Sequence, residues 1–162
     1  MSIRYDDAPG VLYTIQTSNV DPRLGPETTT LTAAGRALAG HIGGYEKELA
    51  DKYVTKKIGP RIVKIGGLTA QQGGFAAQKP DNEGKPMNVY SVFTGYGGWQ
   101  GTFVLPSILV DMRSYTRLEA PELSVNPPPF DQSMERLSAL LGSIRLRPTQ
   151  PPMPELANLP AK

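Results

Sequence analysis

Side chains able to do chemistry are sparse in this 162-residue chain. It has no cysteine and a single histidine, His41. A helical metal site needs a second ligand one turn away, and positions 37 and 45 are Ala and Tyr. His41 therefore reads as a helix-surface or boundary residue. Ser107, Ser114 and Ser133 lack the Gly-x-Ser-x-Gly frame of a hydrolase elbow. Asp6, Asp7, Asp81 and Glu83 offer oxygens for weak calcium binding, but residues 79–86 lack the alternating ligands of a calcium loop and read as a solvated loop. No two carboxylates fall at a spacing that makes an acid/base pair. The expectation is a protein that is not an enzyme, with no catalytic residue, no metal and no cofactor.

Two features suit contact with another protein. The run Gly95-Tyr-Gly-Gly-Trp99 is not a phosphate cradle, since no Lys-Ser/Thr follows it and it opens no helix. It predicts a hairpin turn that puts Tyr96 at its tip and Trp99 just after it, and exposed aromatics often anchor interfaces. The tail after Pro148 carries Pro151, Pro152 and Pro154. An extended proline-rich segment loses little entropy on docking, so it is a candidate contact as well as a candidate disordered end.

Bulk properties narrow the partner class. A formal charge of +2 is too small to argue for nucleic acid or an anionic membrane. The most basic stretch, 47–64, has acids interleaved and no threaded aromatics, so it reads as a solvated face. The longest apolar run, Phe103 to Val110, is interrupted by Pro106 and is too short to span a bilayer. Met1-Ser-Ile-Arg-Tyr-Asp-Asp has the charges but not the apolar stretch of a signal peptide. The expected location is cytoplasmic if Met1 is native, and periplasmic or envelope-associated if a leader was removed. Oligomeric state is open.

The elements that would position these residues follow from periodicity. Val11 to Thr17 alternates and predicts a strand. Leu31, Ala34, Leu38, Ile42, Tyr45, Leu49 and Tyr53 draw one apolar stripe, a long helix capped by Thr30 or Thr32. Gly59-Pro60 is expected to close it, with Lys56 and Lys57 near its C-terminus, and Gly40, Gly43 and Gly44 predict a bend. Arg61 to Ile65 and Leu68 to Gln78 read as a hairpin about Gly66-Gly67, with a weak point or bulge at Gly73-Gly74. Met87 to Thr94 is a further strand, with Trp99 to Leu105 expected to pair with it and Ile108 to Thr116 to extend the region. Pro106 should mark an edge or bend. A second helix, Gln132 to Leu141, is expected with Asp131 as cap, Gly142 just beyond its end, and Met134, Leu137, Leu140 and Leu141 facing inward. Ile144 to Arg147 reads as a short last strand. The sum is an α+β domain over residues 1–147, an antiparallel sheet flanked by helices, and a tail over 148–162.

The phrases GLTAQQGGFAAQ (Gly67 to Gln78), MNVYSVFT (Met87 to Thr94) and FDQSMERLSALLGSIRLRP (Phe130 to Pro148) together resemble the PsbP-like and DcrB-like proteins, over about Leu31 to Pro148. That family opens with a hairpin before its first helix, where the pattern here predicts one strand. The resemblance implies an α/β/α sandwich acting as a non-enzymatic accessory subunit of a larger protein assembly. No position matches a binding motif of the family. Two alternatives stand beside it: a structural protein of a virion or secretion apparatus (or an effector chaperone), and a small-molecule carrier, which would need an apolar cavity between helix and sheet.

Overall fold

In a computed structural model, which describes residues 1–20, 23, 53–98 and 106–145, these residues form a six-stranded antiparallel sheet and one helix. The strands are β1 (Ser2–Ile3), β2 (Val11–Ser18), β3 (Val54–Ile65), β4 (Leu68–Pro80), β5 (Pro86–Tyr96) and β6 (Ser107–Ser114), in the spatial order β1-β2-β6-β5-β4-β3. The helix, α1, spans Phe130–Ser143. The α+β class holds in this general form. The long helix expected from the stripe Leu31 to Tyr53, with its caps and glycine bend, lies outside the described residues except for Tyr53, which is in a turn before β3; the proline-rich tail lies outside them too.

Register sorts the strand residues onto two faces. Tyr13 pairs with Met112, Met112 with Val92, and Val92 with Gly74, so these share one face, and α1 packs on it. Leu137 and Leu141 of α1 are buried there against Tyr13, Ile65, Tyr90, Val110 and Met112, while Met134 and Leu140 flank them. The four apolar helix positions read from the sequence all pack there, and Phe130 joins them. The opposite face carries Phe75, Ala77, Met87 and Phe93, which are also buried.

Local chemistry explains several boundaries. Gly66 (φ +54°) and Gly67 (φ +98°) supply the two positive φ values that a two-residue hairpin matched to strand twist requires. Gly66 N–H also donates to the Leu141 carbonyl at 2.9 Å, which ties this turn to the last turn of α1. Between β4 and β5 the loop is only Asp81–Lys85: Asp81 Oδ1 accepts the N–H groups of Glu83 and Lys85 at 2.9 and 2.7 Å, an Asx-type turn closed by Gly84.

Several sequence expectations are corrected. Lys56 and Lys57 stand on strand β3, and Gly59-Pro60 sits inside it as a bulge instead of ending a helix: the register shifts between Ile58 and Arg61. The bulge thus falls on the strand opposite Gly73, while β4 and β5 pair without interruption through Gly73-Gly74. Asp131 lies in the first turn of α1, whose start follows Pro129 with no side-chain cap, and Gly142 is inside the helix. Ile144 and Arg145 form no strand; extended backbone at Ile144 simply ends α1. Ser2–Ile3 pairs with Tyr13 and Thr14, so a short hairpin does open the chain. The partner of β5 is β6, which starts directly after Pro106, where proline is tolerated. The segment Trp99 to Leu105 lies outside the described residues.

Candidate partner-binding surface

The buried polar groups hold α1 on the sheet. Tyr90 OH lies 2.7 Å from Ser133 Oγ and 3.2 Å from the Pro128 carbonyl oxygen, and Tyr13 OH donates to the Ser133 carbonyl at 3.2 Å. A phenol has one proton. Given to the Pro128 carbonyl, it leaves the Tyr90 oxygen free to accept from Ser133, and both hydroxyls are satisfied. Burial pushes the Tyr90 phenol up to about 12 and raises Tyr13 as well. Raised phenols beside a buried serine supply neither a base nor an activated nucleophile near neutral pH. The cluster is a latch.

Three of the four carboxylates considered for calcium, Asp7, Asp81 and Glu83, are used within the protein. Asp7 takes both guanidinium nitrogens of Arg136, Nη1 at 2.6 Å, and this hydrogen-bonded charge holds its carboxyl below the usual range. Glu83 pairs with Lys85 at 2.7 Å. Among the described residues no three His, Asp or Glu side chains converge as a metal site would require. No described helix is long and apolar enough to cross a membrane.

What remains for recognition is surface. Strand β3 forms one edge of the sheet, and a cleft of about 520 Å³ runs between it and α1, lined by Lys56, Ile58, Arg61, Phe130, Met134 and Glu135. Lys56 bridges its walls: Nζ reaches Asp131 at 2.9 Å and lies 5.2 Å from the centre of the Phe130 ring. Arg61 reaches inward, donating from Nε and Nη2 to Gln72 Oε1 at 3.0 and 2.6 Å, and Gln72 in turn donates to Thr94 at 2.9 Å. Between α1 and the sheet, Leu137, Leu141, Tyr13 and Tyr90 fill the space that a carrier would need.

Of the aromatic and proline positions singled out in the sequence, Tyr96 is described. It ends β5 opposite Ile108, half-buried against the core, and this burial raises its phenol. Trp99, Pro151, Pro152 and Pro154 lie outside the described residues. The edge position of β3 was missed. Its β-branched run, Val54, Thr55, Ile58, Ile62, Val63 and Ile65, is a strand signal that the preceding helical stripe and Gly59-Pro60 outweighed.

The same fold recurs in solved structures. The immunity protein TplEi of the T6SS from Pseudomonas aeruginosa matches over 92% of this chain at 15% identity, with a TM-score of 0.59. A chain of the Tle4–Tli4 complex matches over 92% at 16% identity and a TM-score of 0.60. TplEi complexed with an "L" peptide matches over 91% at 16% identity and a TM-score of 0.57. The chain spans 44%, 45% and 47% of the length of these neighbours. No family model and no curated protein matches. The likeness is one of fold.

Proposed function

We propose that this chain is a non-enzymatic binding protein whose partner is another protein, working as an immunity protein does: by occupying the surface of a secreted effector. The observation that carries this reading is the match of more than nine-tenths of the chain to T6SS immunity proteins, one of them solved with a peptide. The chemistry is in keeping with it, since the hydroxyls of Tyr13, Tyr90 and Ser133 and the pair Asp7–Arg136 are spent on holding α1 in place. Within this reading the accessory-subunit role expected from the sequence narrows to one partner rather than a standing assembly. Tyr96, Trp99 and the prolines 151, 152 and 154 stay as proposed contacts, and the division into a domain over 1–147 and a tail over 148–162 stays with them. Phe75, Ala77, Met87 and Phe93, buried opposite α1, support an α/β/α sandwich with a second layer over that face.

The test is cross-linked affinity purification of the full chain from its native source, followed by assay of whatever co-purifies. One stoichiometric partner with a toxic or lytic activity that the purified chain suppresses is the expected result. Recovery of the chain alone from its native source would sink the reading.

A further inference from the structure

Strand β3 is unlike the rest of the sheet in charge. Between Val54 and Ile65 it carries Lys56, Lys57, Arg61 and Lys64 and no acidic residue, in a chain whose net charge is only +2. It is also an edge, with no described strand on its outer side. The two halves of that edge differ. The first is broken by register shifts between Val54 and Lys56 and between Ile58 and Arg61, and it contains Pro60. Such features discourage pairing with a further strand. The second half, Arg61 to Ile65, pairs with Gln72 to Leu68 residue by residue and has no bulge. It therefore presents regular backbone outward.

Side chains along this half point to a partner. Ile62 is 58% exposed, an aliphatic side chain left in water on a strand. Lys64 shares its face and donates to Thr69 Oγ1 at 2.7 Å, while Arg61 on the other face holds Gln72. Both acceptors are neutral oxygens, so among the described residues neither positive charge is met by a carboxylate there. Lysine on an edge commonly guards against unwanted pairing. That guard acts through charge, so it repels a basic strand and favours an acidic one.

We propose that the Arg61–Ile65 edge of β3 is a docking site for an extended acidic segment of a partner protein, which adds as a strand beside β3. The segment would set carboxylates against Arg61 and Lys64 and an aliphatic side chain against Ile62. Backbone hydrogen bonds give such an addition its affinity, and the side chains give its selectivity. This rests on the protein-binding reading above and names where and by what chemistry the partner is held.

The test uses the full chain and a blocked peptide of two Glu-Val-Val-Glu repeats, a strand's length, so that glutamates three residues apart meet Arg61 and Lys64 on opposite faces and valine meets Ile62. Amide shifts should concentrate at Arg61 to Ile65 and β4. Arg61→Glu with Lys64→Glu should weaken binding about tenfold or more, and added salt should weaken it too. Lys79→Glu with Lys85→Glu, the same charge change elsewhere, should do far less. Methylating alternate peptide nitrogens should abolish binding, because it removes the donors while keeping the charge. Equal binding of the same peptide with lysine in place of glutamate, equal binding of the methylated one, or shifts centred elsewhere would overturn the site. Thermal unfolding of each variant checks that the fold survives. If the wild-type chain captures its cellular partner and the double variant captures it equally well, the β3 site fails and the binding reading stands. If the peptide behaves as expected while no cellular partner is captured, the site stands and the immunity-type reading fails.

Discussion

Tyr13 and Tyr90 stand on strands separated by β6, yet both reach Ser133 of α1, one at its carbonyl (3.2 Å) and the other at its hydroxyl (2.7 Å). Ser133 is fully buried, so its groups would otherwise lie unpaired in the core. Replacing Tyr90 by Phe keeps the ring and its edge contact with Phe130 at 5.6 Å but removes the hydroxyl. The expected cost is about 1–3 kcal/mol, the penalty for a buried group left without its partner. Ser133→Ala should cost less in the Tyr90→Phe background than alone, because its partner is already gone. Urea unfolding of the four proteins measures both; strict additivity would show that the hydroxyls are not coupled.

The same phenol sets an alkaline limit. Its folded pKa of about 12 lies above the ordinary value of 10.0, with burial as the main cause. The folded state therefore holds the proton more tightly than the unfolded chain. This contribution is fully present below pH 10.0 and is lost as pH rises toward about 12. Wild-type stability should fall across that window more steeply than that of Tyr90→Phe. Parallel curves for the two proteins would refute the assignment.

Gly66 and Gly67 make a paired test of turn chemistry. A Cβ on Gly66 would overlap the Ile144 carbonyl oxygen, whereas one on Gly67 would meet nothing within 4 Å. Both have positive φ, so both alanine variants carry backbone strain of about 1–2 kcal/mol. Gly66→Ala should cost clearly more, because it also forces the hairpin away from α1. Equal melting temperatures for the two variants would remove the clash from the account.

Much of this arrangement was legible in the sequence wherever a pattern repeats locally. Val11 to Thr17 alternates and is β2; Gly66-Gly67 is the hairpin turn; Met134, Leu137, Leu140 and Leu141 face the sheet. The reading failed where a short signal sat beside a long one. Lys56 and Lys57 follow a helical stripe and so resembled the cations of a helix end, while Gly59-Pro60, a bulge, resembled a stop. Ser2–Ile3 is too short to show any period. The surface was the least legible part. Whether β3 is an edge depends on the spatial order of six strands, and no local spacing encodes that order.

Leu137 tests how far α1 depends on the sheet. It is fully buried in the core cluster, between Ser133, which is bonded to Tyr13, and Leu141, which is bonded to Gly66. Leu137→Ala removes that side chain from a packed layer and should cost about 2–5 kcal/mol. Leu140→Ala, at a half-buried position of the same helix, should cost less. A cost for Leu137→Ala below about 1 kcal/mol would mean that α1 is only loosely seated.

The pair Asp7–Arg136 closes the opposite side of α1 onto the opening hairpin. Arg136 also lies 5.2 Å from the centre of the Tyr5 ring, and Tyr5 meets Tyr13 edge-on at 5.5 Å, so the ion pair continues into the core through two rings. The guanidinium hydrogen bond depresses the Asp7 pKa below its ordinary 3.8. Its stabilisation is therefore present above pH 3.8 and is lost as pH falls through the lower, folded value. Asp7 is largely exposed, so solvent and salt screen the pair and the effect at neutral pH should be small. Asp7→Asn should lower the melting temperature slightly at pH 7 and low salt, with the gap to wild type shrinking in acid and in added salt. A gap that stays constant down to pH 2 would show that the carboxylate charge does not hold the helix, and that Arg136 acts through its stacking on Tyr5 alone.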